Sequence, residues 1–173
     1  YTLSLHDALP IFSFGVAPSL IVFSLFKEMD YSGAMESLAG VFPYLAFLLS
    51  VFSALRLAKF NNDTRQTSSF VGLPVPANAL FWASLVTGAH DWLVSSNFHP
   101  VYLLLLVCLF SWLLVSEIPM FSLKFKNLSW KDNKTSFIFL LVCIPFLIFL
   151  GICSFSAIIV WYILLSLITR KSK

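Results

Sequence analysis

Long and nearly uninterrupted apolar runs constrain the fold of this chain more than any other feature of its sequence. Hydrophobic residues make up 59% of the 173 positions and charged residues only 11%, and the mean hydropathy is +0.90. A soluble domain of this size could not cover so much apolar surface with polar residues. The sequence therefore predicts an integral membrane protein with several spans.

The secondary structure of these runs is expected to be helical. The runs are continuous and lack the alternating ten-residue pattern of a transmembrane β-barrel. We therefore predict an all-α, polytopic transmembrane bundle of about six helical segments. The spans are placed at Phe12–Phe26, Leu38–Phe60, Asn78–Leu93, Val101–Met120 and Phe137–Thr169. The last run is too long for one straight helix, so it is expected to break at Gly151 into two segments.

The basic residues are distributed unevenly between the two sides of this predicted topology. Ten of the eleven lysines and arginines fall in or beside the central polar stretch, the loop Ser122–Ser136 and the C-terminus, whereas Lys27 falls on the other side. Such an asymmetry is typical of the positive-inside rule and predicts that the C-terminus faces the cytoplasm. The net charge of +3 is too small and too dispersed to favour nucleic-acid binding.

The central polar stretch, Ala54–Ala77, separates two predicted spans and carries Arg56, Lys59 and Arg65. Arg56 and Lys59 are three residues apart, so they share a helix face and could bind one anion together. Guanidinium and ammonium groups at a lipid interface suit phosphate or carboxylate ligands. The competing interpretation is a cationic membrane-flanking loop without a ligand.

Breaker residues follow this cationic group. Gly72, Pro74 and Pro76 are expected to end the helix and to shape a tight re-entry of the chain. They would shape the loop rather than touch a ligand.

Acidic and histidine side chains near predicted span ends leave two interpretations open. His90 with Asp91 is either a proton-handling pair or a hydrated helix end. Glu117 is either a functional acid or a side chain that reaches the membrane boundary beside Lys124.

The first residues differ in character from the rest of the chain. They have neither the basic start nor the long apolar core of a cleavable signal peptide. Residues 1–11 are therefore expected to be a foreign leader, and residues 12–173 a single transmembrane domain that is a fragment.

Two stretches carry a resemblance to a known family. Phe12–Pro18 (FSFGVAP) and, about forty residues later, the RLAKFN and GLPVPAN segments of the central stretch resemble bacterial CDP-diacylglycerol–serine O-phosphatidyltransferases. These phosphatidylserine synthases belong to the CDP-alcohol phosphatidyltransferase family. The likeness runs in register from Phe12 to the C-terminus and includes WYILLS at Trp161–Ser166.

The family's catalytic signature, D-G-x2-A-R-x8-G-x3-D-x3-D, should end three residues before the Ser-Phe-Gly of the first stretch. Pro10 occupies that position, and the other aspartates are missing. The resemblance therefore implies an N-terminally truncated member, and no catalytic residue or metal ligand can be carried over. In the intact family the aspartates hold Mg²⁺ or Mn²⁺, and this polypeptide is expected to bind neither and to be inactive.

The resemblance implies that the intact enzyme transfers a phosphatidyl group from CDP-diacylglycerol to the hydroxyl of L-serine, giving phosphatidylserine and CMP. The implied location is the bacterial inner membrane, with membrane lipids as partners and a homodimer as an open alternative. Arg56, Lys59, Asn61 and Arg65 are interpreted as the surviving substrate-binding residues, with Arg56 and Lys59 on the phosphate or the serine carboxylate.

Two alternatives to this function stay open. One is a sister enzyme with another acceptor, such as glycerol phosphate or inositol phosphate. The other is a non-enzymatic membrane protein, for example a small transporter. A transporter is typically built from repeats with polar groups at the membrane midplane, whereas the polar groups here cluster at one face.

Overall fold

The computed structural model describes residues 9–31, 33–62, 70–120 and 133–170, and most of this described chain is helical. The α-helices are α1 (Ala17–Glu28), α2 (Phe42–Leu45), α3 (Leu48–Asn62), α4 (Val75–Val94), α5 (Pro100–Val115), α6 (Lys134–Leu150) and α7 (Ser154–Arg170). The predicted all-α bundle of about six helical segments is confirmed.

Shorter elements connect these helices. A π-helical turn, Phe12–Val16, leads into α1, and 3₁₀ turns cover Gly33–Leu38 and Gly151–Cys153. Two-residue strands β1 (Phe70–Val71) and β2 (Pro119–Met120) pair in an antiparallel ladder.

Three helical stretches in the described chain are long and apolar enough to cross a membrane. They are Leu9–Glu28, Phe42–Phe60 and Lys134–Thr169, and Pro100–Val115 is apolar but shorter. The longest stretch breaks at Gly151, whose φ is 54° and ψ is −126°, so the predicted break is confirmed. Helices α6 and α7 pack against each other across this break. Large side chains on α6, such as Phe149 at 83% exposure, face outward as expected for contact with lipid.

The core is formed mainly by α1 packed on α4 and by α3 packed on α5. At its centre Phe81 stacks on Phe110 with ring centroids 3.9 Å apart, and Trp82 is fully buried beside them. The indole Nε1 of Trp82 donates a hydrogen bond of 3.2 Å to Oδ1 of buried Asn78. This bond satisfies a polar group that would be costly to bury alone.

Small residues allow α4 to approach the 3₁₀ turn Gly151–Cys153 and the start of α7 closely. A Cβ atom on Gly88 would lie 2.5 Å from Sγ and 2.8 Å from the backbone nitrogen of Cys153. Nearby, the hydroxyls of Ser84 and Ser156 are hydrogen-bonded, and Ser156 also donates to the Phe81 carbonyl at 2.9 Å. Interhelical contact through small residues and hydroxyls is the usual way in which helices associate in a membrane.

Contacts between helix termini define two opposite ends of the bundle. At one end, which we call the arginine end (Arg56, Lys59 and Glu117), Lys59 Nζ lies 3.2 Å from Glu117 Oε1. The β1–β2 ladder at this end joins the chain before α4 to the chain after α5. At the other end, the histidine end (Glu28, His90 and Asp91), Glu28 Oε2 lies 2.8 Å from His90 Nε2.

Two predicted span boundaries were wrong. The fourth span was expected to continue to Met120, but α5 ends at Val115. Pro119 disfavours helical geometry in the residue before it, and Pro119–Met120 pairs with β1 instead. The third span begins at Val75 rather than Asn78, because Pro74 is the extended N-cap and Pro76 is compatible with the first turn. Pro76 therefore helps to start a helix rather than to break one.

The second predicted span, Leu38–Phe60, is also less regular than expected. It opens with the end of the 3₁₀ turn Gly33–Leu38, and the α-helical part is divided into α2 and α3 around Ala46 and Phe47.

Candidate functional site

Arg56, in the middle of α3, is only 4% exposed although it is charged. It borders a cavity of about 410 Å³. The remaining lining is mostly apolar and comprises Pro10, Ile11, Phe14, Ser53, Leu57, Phe60, Pro74, Val75 and Pro76. The guanidinium carbon lies 5.8 Å from the centre of the Phe60 ring, which is within the range of a cation–π contact. We call this space the Arg56 cavity.

Serine and glycine residues hold α3 against the chain that leads into α1. The Ser19 hydroxyl donates to the Gly15 carbonyl at 2.8 Å and is 2.7 Å from the Ser50 hydroxyl. A Cβ on Gly15 would lie 3.1 Å from Cβ of Ser53, so the two helices meet at very short range. The stretch Phe12–Pro18 is thereby fixed beside Arg56.

Backbone hydrogen bonds fix the opposite wall of the cavity. Gly72 donates to the Ile118 carbonyl at 2.8 Å, and Leu73 donates to the Leu113 carbonyl at 3.0 Å. Gly72 has φ 77°, and a Cβ there would be 2.7 Å from the Ser116 carbonyl oxygen. Only glycine fits this position without strain, so Gly72 places Pro74 and the start of α4 next to Arg56.

Lys59 points to a different partner from Arg56. Its Nζ donates to Glu117 Oε1 at 3.2 Å and to the Val115 carbonyl at 3.3 Å, and Lys59 does not line the Arg56 cavity. The structure therefore does not bring Arg56 and Lys59 together around one space. Glu117 pairs with Lys59. Lys124, beside which one of the two interpretations placed Glu117, lies outside the described residues.

The other two predicted binding residues cannot be placed by their side chains. Asn61 belongs to α3, but its side chain is outside the described part of the structure, and Arg65 is outside the described residues altogether. Their assignment to the substrate site stays a prediction.

The residues that the structure describes do not fit a divalent metal site. Within 9–31, 33–62, 70–120 and 133–170, no group of three or more histidine, cysteine, aspartate or glutamate side chains could hold a metal ion. Pro10, at the position where the resembling family carries its last aspartate, lines the Arg56 cavity with a side chain that has no ligand atom. The expectation that this polypeptide binds no metal stays a prediction.

The histidine end contains an interaction that sequence reasoning missed. His90 was considered with its neighbour Asp91, and the two side chains are 3.5 Å apart, but its shorter contact is with Glu28 of α1. The sequence contained a signal for this contact, because Glu28 and His90 both lie near the ends of predicted spans on the same side of the membrane. Burial raises the pKa of nearby Tyr31 to about 12, so its phenol adds no negative charge at this end.

Comparison with known proteins gives three related sequences, all named CDP-diacylglycerol–serine O-phosphatidyltransferase. The protein from Bacillus subtilis is 30% identical over 106 residues, which are 61% of this chain and 50% of that protein. The proteins from two strains of Helicobacter pylori are each 29% identical over 176 residues, which are 94% of this chain and 69% of theirs. The chain thus spans about half the length of the Bacillus relative.

No protein-family model matches the chain, and no solved structure matches it significantly. The chain is thus similar, at about 30% identity, to proteins that carry this name, and its apolar helices support a membrane protein.

Proposed function

We propose that this chain forms the substrate-binding part of an enzyme that transfers a phosphatidyl group from CDP-diacylglycerol to L-serine. The observation that carries the proposal is the position of Arg56, which is buried beside a cavity of about 410 Å³. Both stretches that resemble phosphatidylserine synthases, Phe12–Pro18 and the central stretch, contribute to the lining of that cavity.

The chemistry of the cavity suits an amphiphilic anion. A guanidinium group offers five donors in a planar fork, which matches a phosphate or a carboxylate. Leu57, Phe60 and Val75 surround it with apolar surface, where an attraction between opposite charges is stronger than in water. The cavity can therefore hold a phosphate group together with the nonpolar part of a lipid.

In the proposed reaction the serine hydroxyl oxygen attacks the lipid-side phosphorus, and the bond from that phosphorus to the oxygen of CMP breaks. Among the described residues, Arg56 would bind and orient the lipid phosphate. The proton of the serine hydroxyl needs a base, which the described residues do not provide at the cavity. Pro10 lies where the family has an aspartate and lines the same cavity, so an aspartate at this position would face the bound lipid phosphate.

The orientation in the membrane is part of the proposal. L-serine is water-soluble, and CDP-diacylglycerol carries a water-soluble nucleotide head. The arginine end would therefore face the cytoplasm of a bacterial cell, and the membrane would be the inner membrane. The chain after α7 would then lie on the cytoplasmic side. The excess of basic residues predicted on that side supports this orientation.

A chimera tests the function directly. The segment of the Helicobacter relative that precedes its match to Phe12 is joined to residues 12–173 of this chain, and formation of lipid product is measured with labelled serine. The same preparation is offered glycerol phosphate and inositol phosphate in place of serine. We expect product with serine above the level with either alternative, and none from the 173-residue polypeptide alone.

Variants of the chimera test the role of Arg56. Arg56→Ala is expected to lower kcat/KM by at least about tenfold, because a charged hydrogen bond to substrate is lost. Lys27→Ala, which removes a cation at the other end of the bundle, is the matched control and should leave the rate unchanged. Unchanged kinetics in the Arg56 variant would remove this residue from the substrate site, and a preference for another acceptor would replace serine in the proposal.

A further inference from the structure

A second cavity lies near the histidine end, between α1 and α4, and has no part in the proposed transfer reaction. Its volume is about 370 Å³. The lining consists of Leu20, Ile21, Ser24, Leu25 and Glu28 from α1, and of Val86 and His90 from α4. We call this space the α1–α4 groove.

The spacing of the lining residues gives the groove a direction. Leu20, Ser24 and Glu28 follow one another at intervals of four, so they lie along one face of α1. Val86 and His90 are also four residues apart and lie along one face of α4. The groove therefore runs along the helices from an apolar floor to a charged mouth. Leu20 is half exposed, so the floor is open toward the surroundings of the bundle.

The mouth of the groove carries negative charge. His90 Nε2 lies 2.8 Å from Glu28 Oε2, and His90 Nδ1 lies 3.5 Å from Asp91 Oδ1. Two carboxylates thus face one imidazole, and a net negative charge remains even when the imidazole is protonated. Lys27 does not offset it at the groove, because its Nζ lies over the Phe23 ring at 5.3 Å from the centroid. The mouth is therefore complementary to a cation.

Aromatic residues indicate the depth of this mouth in the membrane. Trp92 and Phe98 have ring centroids 4.8 Å apart, and Phe98 and Tyr102 have centroids 5.9 Å apart. Trp92 and Tyr102 are largely exposed. Exposed Trp and Tyr side chains concentrate at the level of the lipid headgroups. With Trp92 two residues after His90, the mouth lies at headgroup level and the apolar floor at acyl-chain depth.

We propose that the α1–α4 groove binds a phospholipid whose headgroup ends in a primary ammonium group, such as phosphatidylethanolamine. One acyl chain lies along Leu20, Leu25 and Val86. The ammonium group donates hydrogen bonds to the carboxylate of Glu28. A headgroup with an additional carboxylate, as in phosphatidylserine, is disfavoured by Glu28 and Asp91, and a headgroup without a cation gains nothing at this site.

Lipid retention by the purified protein tests the site. The 173-residue protein is equilibrated with equimolar dioleoyl phosphatidylethanolamine, phosphatidylcholine, phosphatidylserine and phosphatidylglycerol, and lipid bound to the protein is quantified by native mass spectrometry. We expect phosphatidylethanolamine to be retained about fivefold more than phosphatidylglycerol, as for a partly exposed charged hydrogen bond. Phosphatidylcholine should fall between them, because its quaternary ammonium has charge but no N–H donor.

Two variants locate the effect. Glu28→Gln keeps the shape of the side chain and should lower the preference for phosphatidylethanolamine about fivefold. Glu36→Gln removes a charge from an exposed acid outside the groove and is the matched control, with no expected change. Ser24→Phe fills the groove and should reduce retention of every lipid at this site while Glu28 is intact.

Equal retention of phosphatidylethanolamine and phosphatidylglycerol by the unaltered protein would overturn the proposal, whatever the variants do. Retention that survives both Glu28→Gln and Ser24→Phe would place the bound lipid elsewhere on the bundle. These measurements need no transferase activity, so their outcome is independent of the proposed reaction.

Discussion

At the arginine end of the bundle Arg56 is 4% exposed, whereas at the histidine end the side chains of His90 and Glu28 keep exposures of 43% and 51%. The packing around the backbone differs between the two ends in the same way. Gly72 is packed against carbonyl oxygens of the chain after α5, whereas a Cβ on Gly151, between α6 and α7, would meet no atom within 4 Å. The charge of Arg56 is therefore enclosed by the protein, whereas the charged side chains of the histidine end are open to the surroundings.

The largest expected effect concerns these two glycines, which both have positive φ. Gly72→Ala should destabilise the protein by about 3 kcal/mol, because it adds a steric clash with the Ser116 carbonyl to the cost of the conformation. Gly151→Ala, whose added Cβ would lie in open space, should cost about 1 kcal/mol from the positive φ alone. Thermal unfolding in detergent measures both. Equal losses would mean that the two ends are equally tolerant, and the comparison would fail.

Two measurements on a variant of Arg56 separate the role of this residue in function from its role in stability. Arg56→Met in the active chimera is expected to lower kcat/KM by at least about tenfold, as for Arg56→Ala. Its melting temperature is measured on the same preparation, so that a loss of substrate binding is distinguished from a loss of folding. A large loss of stability with normal activity would make Arg56 a structural residue of the arginine end.

The ion pair between Lys59 and Glu117 should contribute little, although it joins α3 to the chain after α5. Its side chains are 36% and 69% exposed, and exposed pairs are worth about 0.5 kcal/mol. A double-mutant cycle with Lys59→Met and Glu117→Gln measures the coupling, which should shrink at high salt. A coupling several times larger would show that the enclosed environment of Arg56 extends to this pair.

The smallest effect is expected for Glu28 and His90. Both are half exposed, so His90→Gln should change the melting temperature within experimental error. The ion pair exists when the imidazole is protonated and the carboxylate is ionised, and hydrogen bonds to Glu28 and Asp91 raise the pKa of His90. Any contribution should therefore be present in mildly acidic solution, where the carboxylate is still ionised, and should fade as the pH rises through the titration of His90. Melting at several pH values, with Glu28→Gln as the control, measures this dependence. A large stabilisation would contradict the open character of the histidine end.

The sequence predicted the helical class and most spans because apolar runs of membrane length leave few alternatives. The break at Gly151 was also predictable from length, since the run exceeds what one helix needs. The end of α5 at Val115 was not, because it depends on pairing between Pro119–Met120 and Phe70–Val71, which are about fifty residues away in the chain. Long-range pairing leaves no periodic signal in a local window.

The candidate site was predictable in part. The cluster of basic residues was visible in the sequence. The side chains of Arg56 and Lys59 nevertheless have different surroundings, because Glu117 and the cavity wall at Gly72 come from other parts of the chain. The Glu28–His90 contact was missed for the same reason, because it joins residues 62 positions apart. Spacing on one helix indicates a shared face, whereas the partner of each side chain is decided by tertiary packing.

The ladder between Phe70–Val71 and Pro119–Met120 has a consequence for labelling experiments. Because it pairs Phe70 with Met120, these two residues lie on one common side of the bundle. Reporter tags inserted before residue 70 and after residue 120 should therefore give the same answer to a membrane-impermeant reagent in intact cells.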